Sequence, residues 1–512
     1  MLWLALLLAQ KIDLSTADLG RHLKNGEIII ESDWADKLGV LKTNFYSYTE
    51  GGFSFVNHHW LSGVLFYGVF ALFGFGGLSV FYIILYGLAF LLLFRLANKE
   101  IGINFATLVA LSVIPILTNR QEIRPEVFTY LFSAIFFYIL HFWYKNNSGE
   151  NFKTLIALPI LMLFWVNLHI GFVVGFAILG VFWLDSLIRY KTSKDNLSAK
   201  KSLVEISKIT VLSFGTSLIN PAFLKGALYP FSIFSNYGYR VLENQSIIFL
   251  ENLNISEGLH FGLIKLLYFL IALSFLVLIF KKDWRPNFRI GYFVLIVISV
   301  YLSFTAIRNF PIFALFFIPI LALNIKPLVR YLEQKEDFRF VTALVLSIIL
   351  IIFSFQSLDT IRAKQNNFGI GLADNINAAA NFWQRENIKG PIFNNYDIGG
   401  YLIYNVFPTE KVFVDNRPEA YSLDFFVDEY VPAQEAAPKW NDLLQKYKFN
   451  AIFFSHRDQT PWGQNFLVTK INDPEWAPIF ADAYHIIFVR RNSQNFEIIK
   501  RNEIPKDRFG VR

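Results

Sequence analysis

The sequence predicts a mainly α-helical protein, a polytopic bundle of transmembrane helices with a small C-terminal α/β domain. Of its 512 residues, 54% are hydrophobic and only 17% are charged, whereas soluble domains carry roughly 25% charged residues. Long apolar segments recur up to residue 356, and a mixed polar and apolar pattern follows. The sequence has no Cys, which excludes disulfides, thiolate metal sites and cysteine nucleophiles.

The apolar segments define the predicted bundle. A helix needs about 20 apolar residues to cross a membrane. Residues 1–10 are too short to cross, and we interpret them as the end of one further helix. Together with that helix we predict about 11 helices, whose apolar segments are 77–96, 104–118, 126–144, 153–168, 171–188, 203–219, 258–280, 289–306, 311–325 and 340–356.

The loop charges predict the orientation of the bundle. Segment 59–74 is apolar enough to insert, but only a few residues separate it from 77–96. If it lies in the membrane interface, Lys- and Arg-rich loops such as "RYKTSKDNLSAKK" and "KKDWRPNFR" fall on one side, which is then cytoplasmic. The N-terminus is then inside, and the first loop and the C-terminal region are outside. The same bias accounts for the net charge of +7 without nucleic acid as a partner.

We therefore predict two domains. Residues 1–356 form the transmembrane domain with its first extracytoplasmic loop at 11–76, and residues 357–512 form an extracytoplasmic α/β domain. Strands are predicted from short apolar runs, and helices from mixed runs. The predicted strands are "PIFNN", "KVFVD", "AIFFS" and "YHIIFVRR", and the predicted helices are "NINAAANFWQREN" and "APKWNDLLQKYK".

Ionisable residues cluster at the predicted outer ends of the helices. The first loop opens with "STADLGRHLKNGE", which contains Asp18, Arg21 and His22. Charged side chains at membrane depth usually face an internal cavity and mark function. Each charge taken singly is also explained as a solvated loop residue, so the signal is their concentration on one face. The other candidates on that face are His58, His59, Arg124, Glu126, His169 and Arg308.

This pattern suits transfer of a sugar from a polyprenyl-phosphate donor, whose tail lies in the bilayer and whose headgroup lies at its surface. The acceptor hydroxyl needs a base, and Asp18 is the predicted one, with Asp33 and Asp36 as fallbacks. The leaving phosphate needs cations, which Arg21, His22, Arg124 and Arg308 offer. We expect His58, His59, His169 and Glu126 to contact substrate. No cofactor is assigned, and a divalent metal is left open.

Short motifs then carry a resemblance that extends over almost the whole chain. They are "DLGRHLKNGE", "TNFYSYT", "HHWL", "RPEVFTYLF", "VNLHIG", "INPAF", "DIGGYLIY" and "VDNRPEAY". In this order the motifs resemble those of the GT-C class of glycosyltransferases, which includes protein O-mannosyltransferases and aminoarabinose transferases. The sequence is still more similar to a group of bacterial membrane proteins. The resemblance implies a hexosyl- or pentosyltransferase of the bacterial cytoplasmic membrane. Its acceptor would be a cell-envelope glycan, lipid or protein.

Two departures from that pattern keep alternatives open. Asn44 and His59 stand where the bacterial group often has Asp and Glu. They suggest, as one alternative to the transferase, a binding scaffold for lipid-linked saccharides that descends from an enzyme. The other alternative is a transporter or flippase, although the repeats expected of transporters are not evident. Gly399 and Gly400 predict a turn from a strand into a helix. Asp415 and Arg417 follow an apparent strand, and either touch the acceptor or pair with each other.

Overall fold

The computed structural model describes residues 1–16, 18–145, 152–192, 196–233, 237–255, 258–334, 336–363 and 367–510. Helices dominate up to residue 363. In chain order they are α1 Leu2–Leu8, α2 Leu19–Glu31, α3 Trp34–Lys42, α4 Trp60–Leu117, α5 Glu126–Lys145, α6 Phe152–Leu155, α7 Ala157–Leu168, α8 Val173–Thr192, α9 Asn196–Ser217, α10 Phe223–Leu228, α11 Ile247–Asn252, α12 Phe261–Phe280, α13 Ile290–Thr305, α14 Phe310–Glu333 and α15 Glu336–Ala363.

The C-terminal part alternates helices with short strands. Its elements are α16 Ala378–Arg385, β1 Ile392–Asn394, α17 Gly399–Val406, α18 Val431–Glu435, α19 Ala437–Tyr447, β2 Ala451–Ser455, α20 Pro461–Asn472, β3 Trp476–Ala481, β4 His485–Arg490 and α21 Phe496–Asn502. This confirms the predicted fold class, a mainly helical chain with a small α/β part at its end.

The long helices make this an integral membrane protein. In α12, large apolar side chains such as Leu266, Phe269 and Phe280 are more than half exposed, which water would penalise and lipid would not. That eleven segments cross the membrane stays a prediction. In the described part of the chain, six segments are long and apolar enough to cross: Trp60–Leu117, Glu126–Lys145, Ile170–Thr192, Phe261–Phe280, Ile307–Glu333 and Val341–Ala363.

Helix α4 is divided by two glycines. Its 58 residues would extend about 87 Å as one straight helix, far more than a hydrocarbon core of about 30 Å. Gly74 and Gly102 take φ values of 63° and 75°, a left-handed conformation that only glycine adopts readily. These breaks fall where the sequence separates segment 59–74 from 77–96, and 77–96 from 104–118.

The chain forms two compact units. Unit 1 contains residues 1–10, 79–230 and 240–370, and unit 2 contains 11–78, 231–239 and 371–512. The core of unit 1 includes Phe137, whose ring lies 5.6–6.0 Å from the rings of Phe182, Tyr292 and Phe316. Unit 2 joins the first loop to the C-terminal region. Which residues lie in the membrane and which outside it stays a prediction.

The sheet of unit 2 has the order β1-β2-β4-β3. Strands β1 and β2 are parallel, and β4 is antiparallel to both β2 and β3. The prediction of a strand at "KVFVD" is wrong: Val412 pairs with Ser47 in an isolated bridge instead. Strand β3 is not predicted by the sequence, because Pro478 interrupts its apolar run. A proline is tolerated there because β3 is an edge strand.

Candidate functional site

Asp18, the predicted base, is the N-cap residue of helix α2, and this helix is fixed by close backbone contacts within unit 2. A Cβ atom at Gly20 would lie 2.6 Å from the carbonyl oxygen of Gly400, at the start of α17. A Cβ atom at Gly63 would lie 2.7 Å from the carbonyl oxygen of His22. Neither distance leaves room for a side chain, so glycine lets α2 pack directly against α17 and the first turns of α4. The start of α2, where Asp18 lies, is therefore held in place.

Asp18 is part of a closed polar arrangement. Asn416 Nδ2 donates a hydrogen bond to Asp18 Oδ1, and Arg21 Nη2 lies 3.4 Å from Asp18 Oδ2. Arg21 Nε in turn donates to Asn416 Oδ1 at 3.4 Å. We call Asp18, Arg21 and Asn416 the Asp18 triangle. Each member contacts the other two, so the amide links the carboxylate to the guanidinium.

The burial of the triangle is uneven. The side chain of Asp18 is 22% exposed, whereas that of Arg21 is only 3% exposed. Arg21 Nη1 is buried and has no hydrogen-bond partner among the described residues. A buried donor without a partner is costly, and an anionic oxygen would satisfy it. The triangle therefore offers a reachable proton acceptor beside an uncommitted cationic donor.

A rigid loop presents Asn416 to Asp18. Its neighbours Asp415 and Arg417 are buried and form a bidentate ion pair, with Arg417 Nε and Nη2 donating to the two carboxylate oxygens at 2.7 and 2.6 Å. The backbone N–H of Asp415 also donates to the hydroxyl of Tyr421 at 2.9 Å. Of the two alternatives for Asp415 and Arg417, the structure therefore shows the mutual pair.

Asn44 belongs to the anchor of this loop. Its Oδ1 accepts a hydrogen bond from Arg417 Nη2 at 2.8 Å, and the Arg417 guanidinium also lies 4.7 Å from the centre of the Phe55 ring. A neutral amide suits this position because Asp415 already neutralises Arg417. The departure at Asn44 thus has a structural role that does not involve Asp18 directly.

Glu419 is a further ionisable residue of this loop and is not among the predicted site residues. Burial raises the pKa of its carboxyl, and the guanidinium groups of Arg21 and Arg417 oppose that rise. The charge of Asp18 also acts on Glu419 and raises its pKa further. Unit 2 therefore brings a second carboxyl near the predicted base. Its signal in the sequence was its place in the motif "VDNRPEAY".

Three predicted histidines come together in unit 2. The ring centres of His22 and His59 are 5.4 Å apart, and those of His58 and His59 are 3.7 Å apart. His22 is fully buried and His58 nearly so. In the described part of the chain, no group of three His, Asp or Glu side chains is arranged to hold a metal ion.

Unit 1 holds a second charged group, which we call the Arg–Glu cluster: Arg120, Arg124, Glu126, Glu243 and Arg308. Arg120 lies 2.8 Å from Glu126 and 2.7 Å from Glu243. Arg308 lies 2.7 Å from Glu126, and Arg124 lies 3.2 Å from Glu243. The structure thus brings together three predicted residues and adds two, Arg120 and Glu243, which the sequence also places at outer helix ends.

The charges of the Arg–Glu cluster balance one another. Burial alone would raise the pKa of the Glu243 carboxyl, but Arg120, Arg124 and Arg308 outweigh it and hold that pKa below its usual range. Glu122 adds a third carboxylate, 2.7 Å from Arg124. Every guanidinium in this cluster therefore already has a carboxylate within hydrogen-bond distance.

His169 lies in unit 1 at the start of a 3₁₀ turn, Ile170–Phe172. Its Nδ1 accepts from the backbone N–H of Gly171 at 3.1 Å and lies 2.7 Å from the hydroxyl of Thr129. Trp165 Nε1 donates to the same hydroxyl at 2.9 Å. This histidine caps the turn, and its predicted contact with substrate stays a prediction.

Fold and site together define an integral membrane protein whose unit 2 holds a partly exposed carboxylate beside a buried guanidinium. No family model and no curated protein matches the sequence. Two similar solved structures are of ArnT from Cupriavidus metallidurans. The one bound to undecaprenyl phosphate is 12% identical with a TM-score of 0.48, over 96% of both chains. The apo structure is 13% identical with a TM-score of 0.49, over 95% of this chain and 96% of that one.

Proposed function

We propose that this protein is a membrane glycosyltransferase of the GT-C kind, which moves a sugar from a polyprenyl-phosphate donor to an extracytoplasmic glycan, lipid or protein. The observation that supports this most is the Asp18 triangle, where a partly exposed carboxylate lies beside a buried guanidinium with an uncommitted donor. The long apolar helices of the same chain suit a donor with a polyprenyl tail.

The proposed reaction is a displacement at the anomeric carbon of the sugar. The acceptor hydroxyl oxygen forms a bond to that carbon, and the bond between the carbon and the phosphate oxygen breaks. Asp18 accepts the proton of the acceptor hydroxyl, which is general-base catalysis. The bonding electrons leave with the phosphate, so polyprenyl phosphate is the second product and needs no protonation to depart.

Arg21 is the best-placed cation for that leaving phosphate. Its Nη1 is buried and uncommitted among the described residues, and a guanidinium binds phosphate through directed hydrogen bonds. Arg124 and Arg308 are bonded to glutamates, so a phosphate would have to compete with carboxylates for them. Substrate contacts by Arg124, Glu126, His169 and Arg308, and by His22, His58 and His59, stay predictions.

The proposed location is the bacterial cytoplasmic membrane, with the active face and the C-terminus outside. The distribution of loop Lys and Arg supports this orientation. A tag on the C-terminus that is reached by an impermeant reagent in intact cells would agree with it. A tag protected until the membrane is opened would overturn it.

The test is mass spectrometry of cell-surface glycans in cells without the gene, complemented with wild-type protein or with Asp18→Asn. We expect a glycan that is lost on deletion, restored by wild type and absent with Asp18→Asn, because an amide cannot accept the proton; a loss of about 10³-fold is typical of such a base. Asp442→Asn, an exposed position on α19, is the control that should restore the glycan.

Full restoration of the glycan by Asp18→Asn would remove Asp18 as the base. Loss with Asp33→Asn or Asp36→Asn instead would reassign it.

A further inference from the structure

We infer that Asn416 is a positioning residue for Asp18: its side-chain amide fixes the orientation of the Asp18 carboxylate against Arg21. The effect of Asn416 on catalysis rests on the proposed function, whereas the contacts of Asn416 do not depend on it. Asn416 lies 398 positions from Asp18 in the sequence. The C-terminal region would thereby take part in the chemistry of the first loop.

The chemistry of the two contacts requires an amide. The carboxylate of Asp18 needs a donor, and the Nε–H of Arg21 needs an acceptor. Asn416 supplies both from one short side chain, through Nδ2 to Asp18 Oδ1 and through Oδ1 to Arg21 Nε. Asp at this position could not donate and would add a second negative charge, and Ala would remove both contacts.

The surroundings of Asn416 leave its backbone little freedom. The residues on either side, Asp415 and Arg417, are 0% and 2% exposed and are tied to each other and to Asn44. The backbone of Asp415 also packs so closely on Gly399 that a Cβ atom there would collide with it. A loop fixed on both sides of one amide is expected of a residue that orients a partner.

The charged and titratable groups around Asp18 come from three elements. Arg21 is on the same helix. Glu419 lies on the loop of Asn416, and Tyr396 precedes α17; the charge of Asp18 acts on both. A carboxylate at position 416 would take the place of the amide that donates to Asp18 Oδ1. It would repel the Asp18 carboxylate instead of binding it.

The first experiment measures the reactivity of the Asp18 carboxyl, and it needs no turnover. Full-length protein in detergent is treated with a water-soluble carbodiimide at one fixed pH, and the rate of labelling at Asp18 is followed by mass spectrometry. We expect that rate to rise about threefold in Asn416→Ala and in Asn416→Asp, because the amide N–H no longer occupies Asp18 Oδ1. Asn465→Asp, an exposed position on α20, is the control and should keep the wild-type rate.

The second experiment measures turnover of radiolabelled undecaprenyl-phosphate glucose, mannose and arabinose, each with membranes of the source cells as acceptor. We expect Asn416→Ala to lower kcat about tenfold with KM for the donor changed less than about twofold, since orientation of a base acts on the chemical step. Asn465→Ala should match wild type. Wild-type labelling rates in both Asn416 variants, or an unchanged kcat, would overturn the inference. A wild-type protein that uses no donor would count against the proposed function, while the labelling would still decide the role of Asn416.

Discussion

The Asp18 triangle and the Arg–Glu cluster use the same kinds of side chain with opposite results. In the Arg–Glu cluster each of the three arginines lies within 3.2 Å of a carboxylate. In the triangle the one arginine lies 3.4 Å from its carboxylate and shares it with an amide, and one guanidinium nitrogen has no partner in the described chain. Charged groups that pair with one another stabilise the fold, whereas a buried hydrogen-bond donor without a partner is available to bind a ligand.

The largest expected effect tests the structural side of this comparison. Glu126→Gln removes the carboxylate that lies within 2.8 Å of both Arg120 and Arg308. Only Glu243 then remains near both, so the cost should approach that of a broken buried ion pair, about 3–5 kcal/mol. Thermal unfolding in detergent should show a large fall in Tm. Glu251→Gln is the control, because it breaks an exposed pair with Lys265, worth about 0–1 kcal/mol. Equal changes in the two variants would contradict a structural role for the cluster.

The next effect tests the functional side. Arg21→Lys keeps the positive charge but loses the planar group with several donors, so we expect kcat/KM for the donor to fall about tenfold, with little change in Tm. An unchanged kcat/KM would remove Arg21 as the phosphate contact.

Arg308→Lys tests whether the Arg–Glu cluster is structural or also binds substrate. If the Arg–Glu cluster is structural, this variant lowers Tm more than Arg21→Lys does and leaves turnover nearer to wild type. A loss of kcat/KM equal to that of Arg21→Lys would support the prediction that Arg308 also binds substrate.

The smallest effect concerns Glu419 and depends on pH. Burial raises the pKa of its carboxyl in the folded protein, so the fold favours the protonated form. The stabilisation from that proton is complete below the unfolded-state pKa and is lost as the pH rises through the folded-state pKa. Glu419→Gln resembles the protonated form, and we expect it to raise Tm slightly at pH 8 and to leave Tm unchanged at pH 4. Glu497→Gln, exposed on α21, should show no such difference, and a lower Tm at pH 8 for Glu419→Gln would contradict this account.

Much of the fold followed from local patterns. The apolar segments predicted the helices, and three of the four predicted strands are present, because long apolar runs and short alternating runs report on the chain nearby. The sequence does not predict β3, because Pro478 interrupts its apolar run. The alternating apolar residues of "KVFVD" predict a strand, but in the structure Val412 pairs with the first loop only at a single bridge.

Only the part of the candidate site that lies in the first loop was predictable from the sequence. Asp18, Arg21 and His22 stand out because they are polar residues directly after an apolar start. The adjacent glycines Gly399 and Gly400 likewise predict the turn at the start of α17. Asn416 had no such signal, because a neutral amide in a loop is ordinary and its partners lie almost 400 residues away. Pairing over that distance depends on tertiary packing, which periodicity does not report.

The way unit 2 is assembled from distant segments has a consequence for how the protein is made. A ribosome synthesises Asp18 and Arg21 within the first few dozen residues, but it reaches Asn416 only after every long apolar helix has been translated. A nascent or truncated chain therefore carries the acidic residue without its amide partner. The Asp18 triangle can form only once translation has entered the last fifth of the message, so an unfinished copy in the membrane lacks the arrangement on which the proposed sugar transfer depends.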